Sequence, residues 1–85
     1  MPEISRFCGI KVSLYFNDHD PAHFHAEYAG KVVKVDIRKA TIIQGRFPKD
    51  QRKLILGWCV ARREELLADW EKVRSGCAPD PIRPL

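Results

Sequence analysis

Residues 23–38 read HFHAEYAGKVVKVDIR, and their alternation decides the fold. Apolar and polar side chains alternate over residues 23–28 and again over residues 33–38, on either side of Ala29-Gly30, a period of two that predicts half-buried β-strands. Gly30 adopts positive φ without steric cost, so residues 29–30 are expected to form a tight turn. One face of the resulting antiparallel hairpin carries Phe24, Ala26, Tyr28, Val33, Val35 and Ile37.

The two-residue alternation is also present on the N-terminal side of the hairpin and is weaker on its C-terminal side. Residues 9–16, GIKVSLYF, alternate and predict another strand, while residues 42–47, IIQGRF, predict a short fourth strand. From Pro48 the apolar period becomes 3.6 residues, which is typical of an amphipathic helix. Its stripe contains Ile55, Trp58, Cys59, Leu66, Trp70 and Val73. Gly76 suits the position that ends this helix. Arg62 falls within the stripe and is expected to extend past the sheet edge to solvent.

Together these elements predict an α+β fold in a single domain, residues 1–85. Residues 1–47 form an antiparallel meander of three to four strands, and residues 48–76 form one long C-terminal helix on one face of the sheet. Residues 77–85, with three prolines, form an extended tail. The sequence offers nothing to cover the opposite, polar face of the sheet, which is therefore either solvated or a binding surface.

Composition and charge narrow the class of protein. No apolar run approaches the ~20 residues of a membrane span, and the start lacks the pattern of a signal peptide. The scattered cysteines Cys8, Cys59 and Cys77 indicate a reducing cytoplasm. Eight Lys and Arg residues stand against two Asp in residues 31–53, a net +6 within a chain of net +4. Such a segment favours an anionic partner if folding gathers it on one face.

All three histidines of the chain lie in residues 16–28, FNDHDPAHFHAEY. His23 and His25 are two apart in a predicted strand, so both rings leave the same face with Cβ atoms ~7 Å apart. This spacing allows both imidazoles to bind one metal ion such as zinc, which needs at least one further ligand. The candidates for that ligand are His19, Asp18, Asp20 and Glu27.

Other uses of this stretch remain open. His23 and His25 could act as general base and general acid on an RNA backbone, assisted by Tyr15 or Glu27, with lysine and arginine holding the phosphate. The polar face could instead bind nucleic acid or a partner protein through Tyr15, Asn17, Lys34 and Arg38. A purely structural alternative is that the histidines hydrogen-bond to the loop and stabilise it.

Three segments, MPEISRFCGI, YFNDHDPAHFHAEY and REELLADWEKVRSG with PIRPL, resemble a family of small bacterial proteins known as a domain of unknown function. Its members typically open with MPEISRF and carry an NDHxPxHFHA motif. The resemblance implies a cytosolic bacterial protein, encoded beside another small gene in pairs suggested to be toxin–antitoxin modules. The motif residues it carries over are Asn17, Asp18, His19, Pro21, His23, Phe24 and His25. Cys8, Asp20 and Ala22 depart from the family pattern without touching the histidines.

The function expected from these observations is that of an accessory or toxin–antitoxin-type protein that binds a partner protein, RNA or DNA through its histidine-rich sheet face. The alternative is an enzyme, either a histidine-based ribonuclease or a metal-dependent hydrolase, and the sequence does not decide between them. An exposed sheet edge also makes a homodimer an expectation.

Overall fold

The computed structural model describes residues 2–16 and 18–84 and contains one antiparallel sheet with two helices. The strands lie side by side in chain order, so the sheet is a meander. They are β1 (Glu3–Phe7), β2 (Ile10–Ser13), β3 (His23–Tyr28), β4 (Lys31–Asp36) and β5 (Thr41–Gln44). The helices are α1 (Lys49–Ala61) and α2 (Arg63–Arg74). The α+β class and the meander are confirmed. Neither helix is long and apolar enough to cross a membrane.

The central hairpin forms as its alternation predicts. β3 pairs with β4 from His23↔Asp36 to Tyr28↔Lys31, and the intervening Ala29 and Gly30 both have positive φ, 50° and 78°. Two consecutive positive φ values give a turn whose twist matches that of the flanking strands. Cys8 and Gly9, with φ of 50° and 76°, join β1 to β2 in the same way.

The prediction of three to four strands was too low because β1 escaped detection. The β1–β2 register shifts between Glu3 and Ser5, and the consecutive residues Ile4 and Ser5 are both buried. This irregularity breaks the period of two, which was the signal used to find the other strands.

The helices cover the sheet face that carries Phe24, Ala26 and Val35. Trp58 of α1 lies edge-on to Phe24, with ring centroids 5.6 Å apart. The predicted apolar stripe of the helical region is buried throughout: Ile55, Trp58, Cys59, Leu66, Trp70 and Val73. These side chains and the inward residues of the strands form one hydrophobic core, which stabilises the domain by removing apolar surface from water.

The single long helix of the prediction was wrong, because the helical region is divided at Arg62. This residue has φ −114° and ψ 19°, outside helical geometry. Its guanidinium does not extend to solvent as expected. Instead it donates to the carbonyl oxygens of Arg83, at 3.1 Å, and Pro84, at 2.9 Å. The break therefore coincides with the residue that binds the C-terminal segment.

Residues 77–84 have no regular secondary structure, as expected of the tail, but they pack against the domain. The Ile82 amide donates to the Ile4 carbonyl at 2.7 Å, and the Ile82 side chain is buried. Trp58 Nε1 donates to the Arg83 carbonyl at 2.9 Å. The tail thus lies along β1 at one edge of the sheet. At the other edge, no described strand pairs with the outer side of β5, so a homodimer through β5 stays a prediction.

Candidate functional site

Three of the six candidate metal ligands converge at one end of β3. Asp18 comes from the loop of residues 14–22, while His23 and His25 lie on β3 itself. One donor atom from each lies within 4.8 Å of the others. His19 lies outside this cluster: its side chain is exposed, and its backbone amide donates to Asp18 Oδ1 at 3.0 Å. We refer to Asp18, His23 and His25 as the donor cluster.

The rings of His23 and His25 meet, but they do not share an open surface as expected. Their centroids are 5.3 Å apart. His23 is only 3% exposed, because the Trp70 ring of α2 lies against it with centroids 5.1 Å apart. The expectation of two exposed imidazoles was therefore wrong for His23. It failed because a helix that covers one face of the sheet also encloses the ring at the first residue of β3.

The hydrogen bond from His23 to the loop determines which ring nitrogen carries a proton. Nδ1 lies 2.7 Å from the Pro21 carbonyl oxygen, which can only accept, so Nδ1 is the donor. In the neutral ring, Nε2 then has a free lone pair. This atom lies 2.8 Å from Asp18 Oδ2, within hydrogen-bond distance. The contact therefore needs a cation between the two atoms, either a proton on Nε2 or a metal ion.

His25 presents a second buried nitrogen without a partner. Its Nδ1 is enclosed and makes no hydrogen bond to any described residue. Leaving a buried polar atom unpaired costs about 1–3 kcal/mol. The ring is held in place by Tyr15, which stacks on it with centroids 4.2 Å apart. Burial, the nearby His23 ring and Lys34 outweigh the attraction of Asp18 and lower the pKa of His25. A neutral imidazole is the form that binds metal ions.

Asp18 is ionised in this setting. Burial by itself would raise its pKa, but the amide of His19 and the two imidazoles outweigh this effect and lower the pKa below its ordinary value. The donor cluster therefore combines one ionised carboxylate with two imidazoles, of which His25 has a lowered pKa. Such a set suits zinc, manganese, iron and nickel, and three protein ligands leave further coordination positions for water or substrate.

The remaining predicted site residues are more dispersed. Lys34 lies on β4 directly opposite His25. Arg38 is exposed in the turn after β4, and Asn17 lies outside the described residues. Glu27 faces Lys11 at 3.8 Å, and Asp20 faces Arg74 at 3.7 Å, so neither belongs to the donor cluster. Among the predicted site residues that the structure describes, only Tyr15 and Lys34 adjoin the cluster.

Sequence reasoning missed two groups that shape this site. Trp70 was assigned to the core alone, and no local signal indicates that its ring touches His23. The backbone carbonyl of Pro21 orients the same ring, although Pro21 was named above only as a residue of the motif. Both contacts depend on how the loop of residues 14–22 packs, which the spacing of the histidines does not determine.

Residues 9–71 match the model of a family described as Domain of unknown function (DUF4160). The match contains all three residues of the donor cluster and both tryptophans. No curated protein and no solved structure matches the chain.

Proposed function

The chain belongs to the DUF4160 family, and we propose that Asp18, His23 and His25 bind one divalent transition-metal ion, with zinc the first candidate. The observation that carries this proposal is the convergence of one donor atom from each of the three side chains within 4.8 Å, where the buried His25 Nδ1 has no hydrogen-bond partner and Asp18 is ionised. A cation bound among the three side chains would pair with both imidazoles and the carboxylate at once.

The distances are compatible with a single ion after a small adjustment. In tetrahedral coordination, zinc–ligand bonds of about 2.0–2.2 Å place two ligand atoms about 3.3–3.6 Å apart. The donor atoms lie within 4.8 Å of one another, so the most distant pair needs to approach by about 1.5 Å at most, which side-chain rotation of Asp18 and His25 supplies. The hydrogen bond from His23 Nδ1 to Pro21 is the outer contact that metal-bound histidines usually make.

A metal bound by three protein residues favours the hydrolase alternative over the metal-free ribonuclease. An acid–base pair needs both imidazoles to reach the substrate, whereas His23 is buried and its Nδ1 is already bonded to Pro21. A metal ion, by contrast, needs only one open coordination position and lowers the pKa of a bound water. Metal-dependent hydrolysis is therefore the enzymatic form of the proposal.

Binding of a partner protein or nucleic acid through the open sheet face, including a role in a toxin–antitoxin pair, stays a prediction. The feature in its favour is the open face itself, where Lys11, Lys34 and Tyr15 are only partly buried. This function and metal binding are compatible, because the donor cluster occupies only one end of β3.

The test is the metal content of protein purified without a histidine tag and reloaded with zinc, manganese, iron or nickel. We expect about one equivalent of metal in the wild type and less than about a tenth in His25→Ala and Asp18→Asn, because each change removes a ligand. Metal at a hundred times its dissociation constant should also raise the free energy of unfolding by about 2.7 kcal/mol.

His19→Ala is the matched control, since it removes a histidine of the same loop that lies outside the donor cluster. Its metal content should equal that of the wild type. Thermal melts of each variant without metal show whether it is folded. A wild type without metal, or a loss in His19→Ala as large as in His25→Ala, would overturn the proposal.

A further inference from the structure

Lys34 is an unusual neighbour for a metal site. It lies on β4 directly opposite His25 in the β3–β4 ladder and is half-buried. Lys11 and Lys72 are paired with Glu27 and Asp80, whereas Lys34 forms no ion pair with any carboxylate in residues 2–16 and 18–84. An ammonium group at this position repels a cation bound by His25 unless an anion lies between them.

A surface hollow beside His25 has room for such an anion. Its volume is about 280 Å³, and it is lined by His25, Val32, Val33, Lys34, Gln44 and Gly45. No acidic residue contributes to this lining. The hollow therefore combines a cationic residue and a neutral polar residue next to the donor cluster.

A second hollow, of about 370 Å³, shares Gly45 with the first. Its other lining residues are Ile42, Arg46, Phe47 and Arg52. It too lacks an acidic residue. Arginine guanidinium groups bind phosphate through paired hydrogen bonds. Two adjoining hollows with cations and no carboxylate suit a phosphate compound better than a neutral or cationic ligand.

We infer that the metal ion held by Asp18, His23 and His25, together with Lys34, binds the phosphate group of a phosphate ester. This inference rests on the proposed metal site and names its substrate class. One phosphate oxygen would occupy an open coordination position of the metal, and another would accept a hydrogen bond from Lys34. The anion would thereby offset the repulsion between Lys34 and the metal. Arg46 and Arg52 would contact further phosphates only in a longer ligand.

Calorimetric titration of zinc-loaded, untagged protein with inorganic phosphate at low salt tests the inference. Lys34→Gln should weaken phosphate binding about tenfold, because it removes one charge-assisted hydrogen bond. Lys31→Gln is the control, since Lys31 is an exposed lysine of the same strand that lines neither hollow, and its affinity should stay within about twofold of the wild type.

A second arm identifies the source of the phosphate. Titration with a short single-stranded RNA should show a further loss in Arg52→Gln, whereas inorganic phosphate should bind that variant as it binds the wild type. If Arg52→Gln leaves RNA binding unchanged, the contribution of the second hollow is excluded, and the ligand is limited to a small phosphate compound at Lys34.

Metal analysis of the same samples separates this inference from the proposed function. Zinc-loaded protein that binds no phosphate up to about 10 mM, or equal affinities in Lys34→Gln and Lys31→Gln, overturns the inference and leaves the metal site intact. Equally tight phosphate binding by metal-free protein overturns the role of the metal. Protein that takes up no metal overturns both.

Discussion

β3 begins after the loop of residues 14–22 and ends at the turn Ala29–Gly30, and these two connections are built on different principles. The turn joins the paired residues Tyr28 and Lys31 through two positive φ values, a matter of local stereochemistry. The loop is held by contacts with other groups. Asp18 approaches His23, Pro21 bonds to the same ring, and Trp70 of α2 lies against it.

The two connections differ in what they contribute to the donor cluster. The turn reverses the chain and presents no donor to the cluster, whereas the longer loop brings a carboxylate to two imidazoles. Because the loop depends on α2, the geometry of the donor cluster is coupled to the packing of the core. Substitutions in the core should therefore disturb the cluster, while substitutions in the turn should affect only local stability.

Removing Trp70 should have the largest effect. Trp70→Ala deletes a side chain that is 1% exposed and should lower the free energy of unfolding by about 3–5 kcal/mol, because it leaves a cavity in the core. Trp70→Phe should lose less stability, because it keeps an aromatic ring beside His23. Urea denaturation measures both. Val60→Ala, at an exposed position of α1, should change stability by less than about 0.5 kcal/mol. Equal losses of stability in Trp70→Ala and Val60→Ala would contradict the packing role of Trp70, and an unchanged metal content in Trp70→Ala would contradict its coupling to the donor cluster.

Substitutions at two glycines should have intermediate effects on stability. They compare backbone strain alone, at Gly30, with backbone strain plus a steric clash, at Gly45. Gly30 has φ 78° and no neighbouring atom near an added Cβ, so Gly30→Ala should cost about 1 kcal/mol through backbone strain alone. Gly45 has φ 87°, and its added Cβ would overlap the Val32 carbonyl oxygen of β4. Gly45→Ala should therefore cost about 3 kcal/mol. Equal midpoints in denaturant would show that β5 moves away freely.

The smallest expected effect is a pH dependence of stability that arises from Asp69. Burial raises the pKa of this carboxyl group, although the Asp80 amide donates to its Oδ1 at 3.0 Å and acts in the opposite direction. The folded protein then holds this proton more tightly than the unfolded chain, so ionisation at rising pH destabilises the fold. The stability of the wild type relative to Asp69→Asn should therefore fall as the pH rises from acidic to neutral. Parallel pH profiles from thermal melts would contradict this.

The sequence by itself determined the parts of this protein whose signal is local. Alternation over residues 23–38 predicted β3, β4 and the turn at Gly30, and the 3.6-residue stripe identified the buried side chains of the helical region. The motif of residues 16–28 also placed Asp18, His23 and His25 among the candidate ligands, together with His19, Asp20 and Glu27. The strands, the turn and the stripe depend on interactions within a few residues, so side-chain spacing was sufficient to predict them.

Only the tertiary structure decided the features that depend on distant partners. The irregular strand β1 is paired with β2, the helical region breaks where Arg62 binds the carbonyls of residues 83 and 84, and Trp70 encloses His23. The tertiary structure also left His19 outside the cluster, although the spacing of His19 from His23 is as suitable as that of Asp18. Such contacts join residues far apart in the chain, and their free energy comes from burial and hydrogen bonding in the assembled domain, which a local pattern does not encode.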